Sequence, residues 1–118
     1  MDQNELKRRT KEFSHRCVKL CAQLGNDPLG RHICNQLIRC GTSVAANYRA
    51  ACIAQSKAGF VAKLSIVIEE ADESLFWLEF IVDECLFSKD KVSSLMKEAA
   101  ELTAIFITTR ITARSTIQ

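Results

Sequence analysis

Helix breakers are scarce in this chain: one proline, Pro28, and four glycines, Gly25, Gly30, Gly41 and Gly59, are spread over 118 residues. A proline costs about 3 kcal/mol in a helix interior and a glycine about 1. A chain with so few of them favours long helices over many short strands, which need turn residues at frequent intervals. The strongest break is Gly25-Asn26-Asp27-Pro28. There glycine suits the end of one helix, Asp27 reads as the N-cap of the next, and Pro28 fits its first position.

Apolar residues recur at helical spacing on both sides of that break. The first helix is expected over about 4–24, with Leu6, Phe13, Cys17, Leu20, Cys21 and Leu24 as its stripe. The second is expected over about 28–54, with Leu29, Ile33, Leu37, Cys40, Val44, Tyr48 and Ala51. Ser56 reads as the N-cap of a third helix reaching about 87, and Ser88 as the cap of a fourth over about 89–112, with Val92, Leu95, Ala99, Leu102 and Phe106 facing inward. Four amphipathic helices with short connections fold most simply as one all-α, antiparallel up-down four-helix bundle, a single domain over residues 1–118.

The third helix is apolar on two sides. One seam is Phe60, Leu64, Val67, Ala71, Leu75, Leu78, Val82 and Cys85; a second is Ile66, Glu69, Glu73, Trp77, Phe80, Glu84 and Phe87. A small bundle has one core, so the second stripe is expected at an interface between copies of the chain. Ile66, Glu69, Trp77, Phe80 and Phe87 are its candidate residues. The carboxylates Glu69, Glu73 and Glu84 are expected to meet Arg or Lys of another helix or to line a wet channel. Neither His15 nor His32 is expected to complete a metal site with them.

The six cysteines stand within helical segments among apolar neighbours and are expected as free thiols of a reducing, cytoplasmic compartment. The first residues, Met1–Phe13, are polar and charged, so no secretory leader is expected. No apolar run approaches the ~18 residues of a membrane span. Residues 1–58 carry ten Lys/Arg against four acids, net +6, and residues 59–118 carry six against ten, net −4. The cluster Lys7-Arg8-Arg9-Lys11 is the candidate phosphate or nucleic-acid contact. No nucleophile–base pair, glycine-rich phosphate loop or ligand cluster points to catalysis, so neither an enzyme nor a cofactor is expected.

The stretch Gln36–Ile81 carries a recurring pattern: Arg39, Ser43, Asn47 and Arg49, then Ser56, Lys57 and Phe60, then Glu70, Ala71, Glu73, Trp77, Leu78 and Glu79. It resembles the 23S rRNA intervening-sequence proteins, also called the four helix bundle protein family. Gly59 stands where the family has an acidic or polar residue, and Ala50 where a Glu is common. The resemblance implies an antiparallel four-helix bundle assembling as a ring-like homo-oligomer, a homopentamer. It implies function only loosely: most members have no assigned activity, and a related, more basic branch binds nucleic acid and a reverse transcriptase. Arg39, Ser43 and Asn47 stand four apart on one face of the second helix, with Glu70 and Glu73 as natural partners on the third. The expected function is therefore a non-enzymatic oligomer associated with RNA or DNA, or alternatively a protein-interaction scaffold.

Overall fold

The structure, a computed structural model, describes residues 1–116 and contains four helices among them. They are α1 (Gln3–Ala22), α2 (Pro28–Cys52), α3 (Lys57–Asp83) and α4 (Lys89–Ser115). Three of the four starts have a local cause. The Asp2 carboxylate accepts the Glu5 amide at 2.8 Å, Asp27 accepts Gly30 at 2.7 Å, and the Ser56 hydroxyl accepts Gly59 at 3.0 Å. These bonds satisfy amides that a helix N-terminus leaves without intrahelical partners. Ser88 occupies the cap position of α4, but its hydroxyl makes no capping bond.

α3 stops four residues earlier than the sequence pattern suggests. Cys85 adopts a left-handed backbone, φ 57°, and the amides of Cys85 and Leu86 turn back to the carbonyls of Val82 and Ile81, each at 3.0 Å. This is the paired hydrogen-bond closure that helices commonly make with glycine. Cys85 therefore lies outside the helix and is exposed rather than part of the inner seam.

Successive helices run antiparallel. Ser14 opposes Gly41 between α1 and α2, Arg39 reaches Glu70 between α2 and α3, and Arg110 reaches Ser65 between α3 and α4. The result is a rod of 50 × 21 × 20 Å. α1 and α4 pack least against each other. Polar side chains bridge them, with Arg9 on Glu98 and Glu101 and Arg16 on Ser94. No helix among the described residues is long and apolar enough to cross a membrane.

The core runs the length of the rod and includes Phe13, Ile33, Leu37, Leu64, Leu78, Leu102 and Phe106, all buried, with Phe106 against Tyr48 at 5.0 Å between ring centroids. Three details depart from the periodic pattern. Leu29 is exposed. Ile68, Ser74 and Ile81 are buried on α3, while Leu75 and Val82 are only half-buried. Thr10 and Ser14 are buried on the α1 stripe. The buried hydroxyls are satisfied by helix carbonyls: Thr10 donates to Leu6, Ser14 to Gly41 and Ser74 to Glu70. That removes the cost of leaving a buried polar group unpaired.

Candidate functional site

The basic residues of α1 divide between two faces. Successive residues are turned by 100° about a helix, so Lys7 and Lys11 share a face and Arg9 points away from it. Arg9 packs toward α4, its Nε and Nη2 each donating to Glu98 at 2.7 Å and Nη2 also to Glu101 at 2.9 Å. The side chains of Arg9 and Glu98 are only 22% and 15% exposed. Arg9 is therefore engaged within the bundle and is not part of a phosphate-facing cluster. Arg8 is exposed and makes a long contact to Glu12, 3.4 Å, one turn on.

Lys7 and Lys11 instead line a cleft between α1 and α2, of about 430 Å³, together with Ser14, Thr42, Ala45, Ala46 and Arg49. Ala45 and Ala46 keep its floor low. The Ser14 and Thr42 hydroxyls already donate to the carbonyls of Gly41 and Ile38, at 2.7 and 2.6 Å. The cationic side chains are thus the donors left to a ligand. Among the described residues Lys7, Lys11 and Arg49 make no ion pair, and no carboxylate lines the cleft. Arg49, which the family pattern groups with Arg39, Ser43 and Asn47, stands two positions from Asn47 and turns to the α1 side.

The remaining ladder lies in the α2–α3 groove. Arg39 donates to Glu70 at 3.1 Å and also to Glu73, and the Trp77 indole donates to Glu73 at 3.1 Å. Burial pushes the Glu73 carboxyl up. The hydrogen bonds from Arg39 and Trp77, with the Arg39 charge, outweigh it and hold the group below its ordinary range. Asn47 turns along its own helix, donating to the Ser43 hydroxyl at 2.7 Å and to the Ser43 carbonyl at 3.0 Å.

The outer face of α3 is aromatic. Trp77 stacks edge-on with His32 at 5.6 Å and Phe76 at 4.9 Å, and Phe80 lies 5.8 Å from Trp77. Phe76, half exposed at 50%, is the most open of them and lay outside the predicted stripe. Ile66 and Glu69 are exposed, Trp77, Phe80 and Phe87 are half-buried, and the Phe87 ring is covered by Lys91. Glu73 is held by Arg39 while Glu84 is exposed, so the three carboxylates do not converge. Glu12 and His15 have the Glu-x-x-His spacing of helical metal sites. Glu12 faces Arg8 instead, and no group of three His, Cys, Asp or Glu able to hold a metal ion forms among the described residues.

The Arg9–Glu98 clamp gives a test of the α1–α4 closure. The hydrogen bonds from Arg9 hold the Glu98 carboxyl below its ordinary value of 4.5. A depressed carboxyl pKa contributes stability that is present above the unfolded value and lost as pH falls through the folded one. Arg9→Ala should cost about 2 kcal/mol at pH 7. In urea melts the gap between variant and wild type should narrow as pH drops below about 4.5. A gap unchanged at acid pH would mean the clamp does not act through Glu98.

An all-α bundle of four antiparallel helices with an open cationic cleft defines the class. Within it, the 23S rRNA-intervening sequence protein family matches residues 2–108. A solved structure of similar fold is a protein of unknown function from the S23 ribosomal protein family of Bacteroides thetaiotaomicron. It is 33% identical, with 93% of this chain and 98% of that chain covered and a TM-score of 0.86. Among curated proteins nothing matches the chain. The chain belongs to the 23S rRNA-intervening sequence protein family.

Proposed function

We propose that this protein is a non-enzymatic, cytoplasmic homo-oligomer that associates with RNA or DNA through the α1–α2 cleft. The observation that carries this reading is the set of three cations, Lys7, Lys11 and Arg49, around one cleft with no carboxylate among the described residues to neutralise them. Lys7 and Lys11 are separated by four residues, a rise of about 6 Å along α1, and Arg49 stands across the cleft from them. Among the described residues no aromatic side chain lines the cleft to stack on a base. Such a site engages the phosphate backbone without reading sequence.

The aromatic face of α3 supports self-association. An exposed Phe76 beside Trp77 and Phe80, with Ile66 also exposed further along α3, is apolar area that a second copy would remove from water. The family resemblance supports a reading in which such copies form a ring, a pentamer. A ring repeats the cleft once per subunit, so weak single contacts gain by effective concentration.

Labelled RNA and DNA oligonucleotides titrated with the protein over a salt series test the reading. Three phosphate contacts give a slope of log K against log salt of about −3 for duplex and about −2 for single strands, hence roughly 40-fold weaker duplex binding at 200 mM than at 50 mM salt. Absence of binding at low salt, or binding indifferent to salt, overturns it. The exposed Phe76 face favours one second reading, a protein-interaction scaffold. That reading gains if a specific protein remains bound after nuclease treatment and loses if none does.

A further inference from the structure

Two thiols face each other across the α1–α2 seam. Cys21 on α1 and Cys34 on α2 hold the same register as Ser14 and Gly41, where a hydroxyl–carbonyl bond of 2.7 Å draws the helices together. An added Cβ at Gly41 would lie 2.9 Å from Cys17 Sγ, a measure of how close the backbones run along this seam. Cys34 Sγ lies 3.5 Å from the Cys21 carbonyl oxygen, and Cys21 Sγ lies 3.9 Å from the Cys34 carbonyl oxygen. These reciprocal contacts send both side chains into one interhelical gap. The other thiols are placed differently. Cys17 and Cys40 are fully buried, Cys52 is half-buried beside Tyr48, and Cys85 is exposed beyond the end of α3.

We propose that Cys21 and Cys34 form a peroxide-reactive dithiol, an oxidative modification site that fastens α1 to α2 through one disulfide. Cys34 is half-buried whereas Cys21 is 8% exposed, so peroxide reaches Cys34 first. The Cys34 sulfur attacks one peroxide oxygen, giving a sulfenic acid and one water. Burial, and then the hydrogen bond with Cys34, raise the Cys21 thiol above its ordinary value, so Cys21 is the slower partner and loses its proton only as it attacks. Cys21 then attacks the sulfenic sulfur and surrenders its proton, the S–OH bond breaks, and a second water leaves. Two thiols lose two electrons and two protons in total, and one hydrogen peroxide becomes two waters. The bond closes the short chain segment through the Gly25–Pro28 turn and fixes the register of α1 on α2 at the end of the seam away from the cationic cleft.

The inference does not rest on nucleic-acid binding. Its test is peptide mapping of the whole protein, treated with hydrogen peroxide, blocked with N-ethylmaleimide and digested with trypsin. Cleavage after Lys19, Arg31 and Arg39 separates the two cysteines into peptides 20–31 and 32–39. The expected product is these two peptides joined, lighter by two hydrogens than their sum and separated by dithiothreitol. A melting temperature higher by on the order of 10 °C should accompany it. The link should persist in a Cys85→Ser variant and vanish in Cys34→Ser. Both peptides alkylated singly after peroxide, or a link that joins other cysteines in their place, overturns the proposal.

Discussion

Phe106→Ala lowers the unfolding free energy by about 3–5 kcal/mol. The ring is wholly buried on α4 and meets Tyr48 of α2 with 5.0 Å between centroids and a tilt of 43°. Truncation removes the transfer energy of the ring and leaves a cavity among helices that are held on several sides. Phe106 is one of the side chains that join α4 to α2. Urea unfolding followed by circular dichroism, at one fixed protein concentration because assembly contributes to apparent stability, reads the effect. A loss below about 1 kcal/mol would mean that the core does not close around this residue.

Gly41→Val tests a close approach of α1 and α2. The added Cβ would stand 2.9 Å from Cys17 Sγ and 3.1 Å from Cys17 Cβ, in a site where Cys17 is fully buried. Removing a glycine from a helix interior recovers under about 1 kcal/mol, whereas overpacking a tight core costs about 1–3 kcal/mol or more. A net loss of about 2 kcal/mol follows, with α2 pushed off α1 and the Ser14–Gly41 hydrogen bond of 2.7 Å stretched. Cys17→Ala frees the space that the valine needs. In the double variant the two changes should therefore cost less together than separately. Strict additivity would place the clash elsewhere.

Much of the fold can be read from the chain because its signals are local. Asp27 followed by Pro28 states where α2 begins, and the Asp27 carboxylate is found on the Gly30 amide. The end of α3 carries no such signal. Its left-handed residue is a cysteine where a glycine would have announced the stop, so the helical pattern runs on past it. The site is harder because a run of charges states how many cations are present but not which way each one turns. Lys7, Arg8, Arg9 and Lys11 are neighbours in sequence, yet 100° per residue puts Arg9 on the side of Glu98 and leaves Lys7 and Lys11 on the cleft. The same turn separates Arg49 from Asn47. A reading by helical azimuth rather than by adjacency would have found both. Phe76 follows the same rule: it precedes Trp77 by one residue and so fell outside a stripe drawn at intervals of three and four. What the sequence alone does not contain is the counter-charge, since Glu98 and Glu101 lie some ninety residues from Arg9 and meet it only once α4 has folded back.

The most direct test of the central claim compares two variants of equal charge on one labelled duplex across a salt series. Lys7, Lys11 and Arg49 are changed to Ala in one; in the other the exposed Lys19, Lys89 and Lys97, which lie outside the cleft, are changed to Ala. Loss of the cleft cations should flatten the salt slope by about 3 and weaken binding at least tenfold at low salt. The control, with the same loss of net charge, should stay near wild type. Equal losses in both variants, or no loss in the first, would contradict a phosphate site between α1 and α2.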